Sequence, residues 1–164
     1  MVAMTTQTPS TMRWLDADQQ HSWRQLLRGS AQLFDDVNHD LEQQSGLSLS
    51  EYEVLVRLSE ADGRTLRMSV LAAELVHSRS RVTHTIRRME QAGLVERRTC
   101  ADDRRGVNCT LTDAGFARLE EIAPGHVASV RARLVDRLTP AQMRQLGEIM
   151  SVFVHGEDED GATA

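Results

Sequence analysis

Apolar residues fall at Trp23, Leu26, Leu27, Leu33, Phe34, Val37 and Leu41, close to the spacing that lays one stripe along a helix. Asp16 with Gln19 three positions later forms a capping box that starts this helix by satisfying its first free N–H groups, and Ser45-Gly46 stops it. A second box, Ser48 with Glu51, stands before Tyr52, Leu55, Val56 and Leu58 and predicts a short helix ending near Gly63. Ser69 is placed to cap a third helix over VLAAELV. After HSRS breaks the pattern, SRVTHTIRRMEQAG restores it, with Gly93 where a helix end needs positive φ. The pattern there is two short helices joined by a tight turn.

The period then changes. LVERRTC and VNCTLT are β-prone runs on either side of a charged, turn-rich tip, which predicts a hairpin. From Asp113 a helix carries Phe116, Leu119 and Ile122 on one face as far as Pro124-Gly125, where a proline in mid-helix predicts a kink or break. Helical spacing returns through Val127, Val130, Leu134 and Leu138. Thr139, Pro140 and Gln142 combine an N-cap, a first-turn proline and a box partner, opening a last helix with Met143, Leu146, Ile149, Met150 and Phe153. The fold class expected is mainly α with a small β-hairpin, in one domain over 14–155. Residues 1–13 and the acidic stretch 156–164 read as disordered tails.

Charge alters this picture locally. The 164 residues carry a net −5, but Glu157, Asp158, Glu159 and Asp160 supply most of it. Between Arg79 and Arg105 eight arginines (79, 81, 87, 88, 97, 98, 104, 105) face four acids (90, 96, 102, 103), so mild overall acidity hides one basic stretch. That distribution is an electrostatic footprint for nucleic acid. Every basic residue is Arg, whose planar fork suits phosphate and guanine. With no apolar run near the ~20 residues of a membrane span and no secretory signal at the start, a cytoplasmic protein without membrane contact is expected.

On a helical wheel Val82, Ile86 and Met89 lie within about 60° of one another and predict a buried stripe. Opposite stand Ser80, His84, Arg87 and Gln91, with Arg81, Thr83 and Arg88 at the flanks. A solvated face usually mixes charges of both signs, whereas this one has Glu90 as its single acid. The bias fits a helix that enters the major groove, where Arg pairs with guanine and Ser, Thr or His reach base edges or phosphates. The run SRSRVTHTIRRMEQAGLVERR, followed by DDRRG and LTDAG, resembles the winged helix-turn-helix of the multiple-antibiotic-resistance regulator (MarR) family, and the resemblance extends more loosely from Trp14 to His155.

What the resemblance implies is a homodimeric, sequence-specific regulator of transcription bound to a palindromic operator in double-stranded DNA. The winged helix would span about 48–112, and dimerisation helices about 16–45 and 113–155. Ser78, Arg79, Ser80, Arg81, Thr83, His84, Arg87 and Arg88 fall on the recognition helix. Arg98, Asp103, Arg104 and Arg105 fall on the wing, with Arg105 expected in the minor groove and Asp103 fixing its geometry by a charge-assisted bond. Arg97 and Arg98 occupy opposite faces of the first hairpin strand, so one of them at most faces phosphate. Such regulators typically repress, and release DNA when a small aromatic or phenolic effector binds between the dimer helices and the reading head. Trp14, His21, Trp23 and His126 are the candidate pocket residues.

Other chemistry has less support. No Gly-rich phosphate loop, G-x-S-x-G or cleft-like carboxylate pair suggests an enzyme, and no cofactor is implied. The six histidines are scattered without HExxH spacing, so no metal site is expected. Cys100 and Cys109 lie one in each hairpin strand. Thiol-based redox sensing through them is an alternative, since nearby arginines lower a thiol pKa, although the family's peroxide-sensing branch places its cysteine near the N-terminal helix and this chain has none there. A helical interaction module without DNA is the other alternative, and it leaves the Arg bias unexplained.

Overall fold

Six helices and three short strands form in the order α1 (Ala17–Ser45), α2 (Leu49–Glu60), β1 (Thr65–Arg67), α3 (Met68–Glu74), α4 (Arg79–Gln91), β2 (Val95–Thr99), β3 (Val107–Leu111), α5 (Asp113–Arg133) and α6 (Pro140–Ser151). The structure, a computed structural model, describes residues 12–75, 79–99 and 106–154. All three capping boxes form. Asp16, Ser48 and Thr139 each accept from the backbone N–H three residues on, while Gln19, Glu51 and Gln142 reach back. Gly46 ends α1 with a left-handed φ of 72°.

The predicted hairpin forms but gains a third strand, and two further expectations are changed. The hairpin is part of a three-stranded antiparallel sheet of order β1-β3-β2, because Thr65–Arg67 pairs with β3 in the register Leu66 to Cys109. Three residues carry too little periodicity to announce a strand. Ser69 is not the N-cap: α3 begins at Met68, straight out of β1, with Arg67 as an N-cap that makes no side-chain capping bond. Pro124 does not break α5, which runs through it. Its ring is solvent-exposed, so proline costs the helix one ladder bond without burying an unpaired group.

The core joins the helix-turn-helix to the sheet. Leu41, Leu55, Leu58, Leu71, Ile86 and Met89 are essentially water-free, and Val95, Cys109 and Leu111 close the layer from the strands. The predicted stripe Val82, Ile86 and Met89 is therefore the face by which α4 is seated. Along the other axis α1 and α5 cross under charge: Arg133 donates to both carboxylate oxygens of Asp40 at 3.0 and 2.9 Å and to Asp36 at 3.2 Å, and Ser129 Oγ adds a bond to Asp40 at 2.6 Å. The Arg133 and Ser129 hydrogen bonds hold the Asp40 carboxyl below the usual carboxylate range. No helix among the described residues is long and apolar enough to cross a membrane.

Candidate nucleic-acid interface

The outer face of α4 is built by default, as what remains once Val82, Ile86 and Met89 are buried. Thr83, His84 and Arg87 are exposed on it. Ser78 and the side chains of Arg79, Ser80 and Arg81 lie outside the described residues. Gly93 closes the helix with φ 73°, and Leu94 N–H then bonds back to Met89 O at 3.0 Å, so the chain turns directly into β2.

Arg88, expected at the flank, has a partner that the wheel does not show. Its guanidinium turns inward and grips Glu51 of α2, Nε to Oε1 at 2.8 Å and the terminal nitrogen to Oε2 at 2.5 Å. The Glu51 side chain is 4% exposed and that of Arg88 58%. Burial pushes the Glu51 carboxyl up, and its bonds from Arg88 and Ser48 together outweigh burial, leaving it below the usual range. A buried carboxylate with this many donors is anionic, and Arg88 is the cation that permits it. Arg88 thus ties α4 to α2. The box spacing identified Glu51 as a cap; its second partner lies 37 positions later, beyond any local pattern.

The strands repeat this division of labour. Arg97 is half-buried and bonded to Glu90 of α4 at 3.0 and 2.6 Å, tying wing to recognition helix. Arg98, on the opposite face, is exposed and holds only Glu96 at 2.8 Å. A surface pair of that kind contributes little and leaves Arg98 free to exchange partners. The wing tip, with Cys100, Asp103, Arg104 and Arg105, lies outside the described residues.

Cys109 is corrected as a redox candidate. Its thiol is fully buried opposite Arg97, and burial, opposed in part by Arg97, pushes its pKa up to about 12. The thiolate that would react with oxidant is absent at neutral pH. In a Cys100→Ser variant we expect no native-state reaction with an aromatic disulfide reagent at neutral pH, and one equivalent once denaturant is added. Prompt native reaction would return Cys109 to the redox reading. Among the described residues no group of three or more His, Cys, Asp or Glu side chains could hold a metal ion.

A cavity of about 960 Å³ opens between α1 and α2, lined by Phe34, Asp35, Tyr52, Arg57 and Glu60 among others. None of the four expected pocket residues lines it. Trp14, His21 and Trp23 sit earlier on or before α1, exposed. His126, on α5, stacks against Tyr52 with ring centroids 4.2 Å apart. Its buried Nδ1 has no hydrogen-bond partner among the described residues, and burial lowers the ring's pKa. The aromatic residues that line this cavity are Phe34 and Tyr52.

Comparison with known proteins agrees with this architecture. A family model described as MarR family matches residues 45–106. The HTH-type transcriptional repressor YetL of Bacillus subtilis is 31% identical over 126 residues, covering 71% of this chain and 75% of that protein. Among solved structures, Sco3205 of Streptomyces coelicolor, a MarR family transcriptional regulator in complex with DNA, superposes with TM-score 0.83 at 40% identity, covering 93% of this chain and 96% of its own. AbsC, a MarR family regulator from the same organism, gives 0.79 at 40% identity over 87% and 95% of the two chains.

Proposed function

This chain belongs to the MarR family of transcriptional regulators, and from that premise we propose that it works as a homodimeric repressor whose two recognition helices read a palindromic operator until a small effector releases them. The observation that carries the reading is the α4 face: Thr83, His84 and Arg87 outward on a helix whose other side is locked into the core, in a chain that superposes over most of its length on a relative solved with DNA. In this reading Thr83, His84 and Arg87, with Ser78, Arg79, Ser80 and Arg81, meet the major groove. Arg98, Arg104 and Arg105 meet phosphate and minor groove, with Asp103 orienting Arg105.

Self-association is supported by apolar surface at the two ends of the chain. Trp14, Leu15 and Trp23 are about half or more exposed at the start, and Ile149, Val152 and Phe153 at the end. Large apolar side chains left open in this number are available for burial against a second copy. Two copies joined there would set two recognition helices one helical turn of DNA apart, ~34 Å. An effector acts by favouring a dimer with a different spacing. The cavity between α1 and α2 is the place for it, because α2 also carries Glu51 and so touches both cavity and recognition helix.

Gel retardation of the duplex upstream of the protein's own gene, at low salt, tests the reading. Arg105→Ala should weaken binding roughly tenfold with the dimer intact in sedimentation, and Arg87→Ala should change sequence preference more than the salt slope. Failure to retard that duplex at any protein concentration below aggregation would favour the interaction-module alternative. Unchanged affinity in Arg105→Ala would remove the wing tip from the contact set.

A further inference from the structure

Resting on the reading of the α1–α2 cavity as the effector site, we propose that its ligand is an organic cation with an aromatic body. The charged groups of the lining are three carboxylates, Asp35, Glu53 and Glu60, and one guanidinium, Arg57. Arg57 lies four residues after Glu53 and three before Glu60, so along α2 it already has an acid a turn away on each side. Asp35 stands on α1 with no cation of the lining on its own helix. Asp35 and Glu60 are both exposed to solvent at the cavity.

An anionic ligand entering this site meets two negative charges in excess. A cation meets them as complements, and meets the exposed Phe34 ring as well, which attracts positive charge through its quadrupole. Phe34 is strongly exposed despite its place on the cavity wall, so an aromatic body docking there gains burial that the empty site lacks. The volume, about 960 Å³, is at the upper end of what small-molecule sites occupy and leaves room for a fused ring system. The ligand is thus selected by its charge at the mouth and by apolar contact within.

The experiment is calorimetric titration of the full-length protein with three probes that share one ring and differ in the head group: naphthylethylammonium, naphthylpropanoate and uncharged naphthylethanol. The ammonium should bind roughly tenfold or more tightly than the propanoate. In the Asp35→Asn, Glu60→Gln double variant its affinity should fall about tenfold while that of the alcohol stays. Both acids are exposed, and an unchanged thermal melt confirms that the variant folds. Equal or tighter binding of the propanoate, undiminished ammonium binding in the double variant, or binding of none of the three overturns the proposal. Retardation of the duplex is measured first without any probe and then with the ammonium, so operator binding stands or falls separately. Ammonium binding that leaves the duplex bound would support the charge preference and reject release.

Discussion

Replacing Gly115 by Ala should destabilise the protein by about 3 kcal/mol, although alanine is the better helix former by roughly 1 kcal/mol. The reason is space. A Cβ there would stand 2.1 Å from the carbonyl oxygen of Leu94 and 2.7 Å from Cδ1 of Leu111. The first atom is backbone and is already engaged, accepting from Thr112 N–H at 3.1 Å and Thr112 Oγ1 at 3.0 Å. Leu94 cannot retreat, because it bridges Gly93 and the first residue of β2, which pairs with Leu111. Nor can α5 slide: Thr112 caps it by accepting from Gly115 N–H at 2.9 Å, Arg64 reaches Asp113 at 3.2 Å, and the same guanidinium lies 3.8 Å over the Phe116 ring. Relief requires tilting the helix off the sheet. Urea unfolding of Gly115→Ala beside Gly147→Ala checks this, since a Cβ at Gly147 in α6 meets nothing within 4 Å and should be neutral or stabilising by up to about 1 kcal/mol. Similar midpoints for the two variants would show that the close approach has no energetic weight.

The LT-x-x-G motif thus has a physical content that the string alone does not show: a cap, and a glycine thin enough for helix to meet carbonyl. What was legible in the sequence shares one property. Capping boxes, Gly93 and the Val82, Ile86, Met89 stripe are each decided within about one or two helical turns, so periodicity and spacing suffice. The differences at β1 and at Arg88 depend on partners far away in the chain. β1 exists because β3 lies 45 residues on. Arg88 looks like a groove residue on a wheel because a wheel shows direction and not the buried carboxylate waiting there. The cavity is formed by two helices whose facing surfaces no single segment reveals.

Breaking the Glu51–Arg88 pair from either side should weaken operator binding by about the same factor, roughly tenfold, and breaking both sides should add little more. Glu51 is buried and cannot touch DNA, so an effect of Glu51→Ala, which also removes the α2 cap, passes through the placement of α2 and α4. Arg88→Ala strands the carboxylate, which costs about 2 kcal/mol of stability; the figure is at the low end for a broken buried pair because Arg88 is open to water and Ser48 still donates to Glu51 at 2.9 Å. The salt dependence distinguishes the two roles of Arg88. A phosphate contact would lower the slope of log affinity against log salt by about 1, whereas a positioning residue leaves it unchanged. Acidity gives a second handle. Since the folded carboxyl titrates below its unfolded value, the unfolded chain takes up the proton first as pH falls, and the pair's stabilisation is complete above the ordinary glutamate range and lost through the folded pKa. Glu51→Gln keeps the shape and the cap, removes that acid-side dependence, and lowers stability at neutral pH. A shallower salt slope in Arg88→Ala, together with wild-type operator affinity in Glu51→Ala, would return Arg88 to the DNA-contacting face.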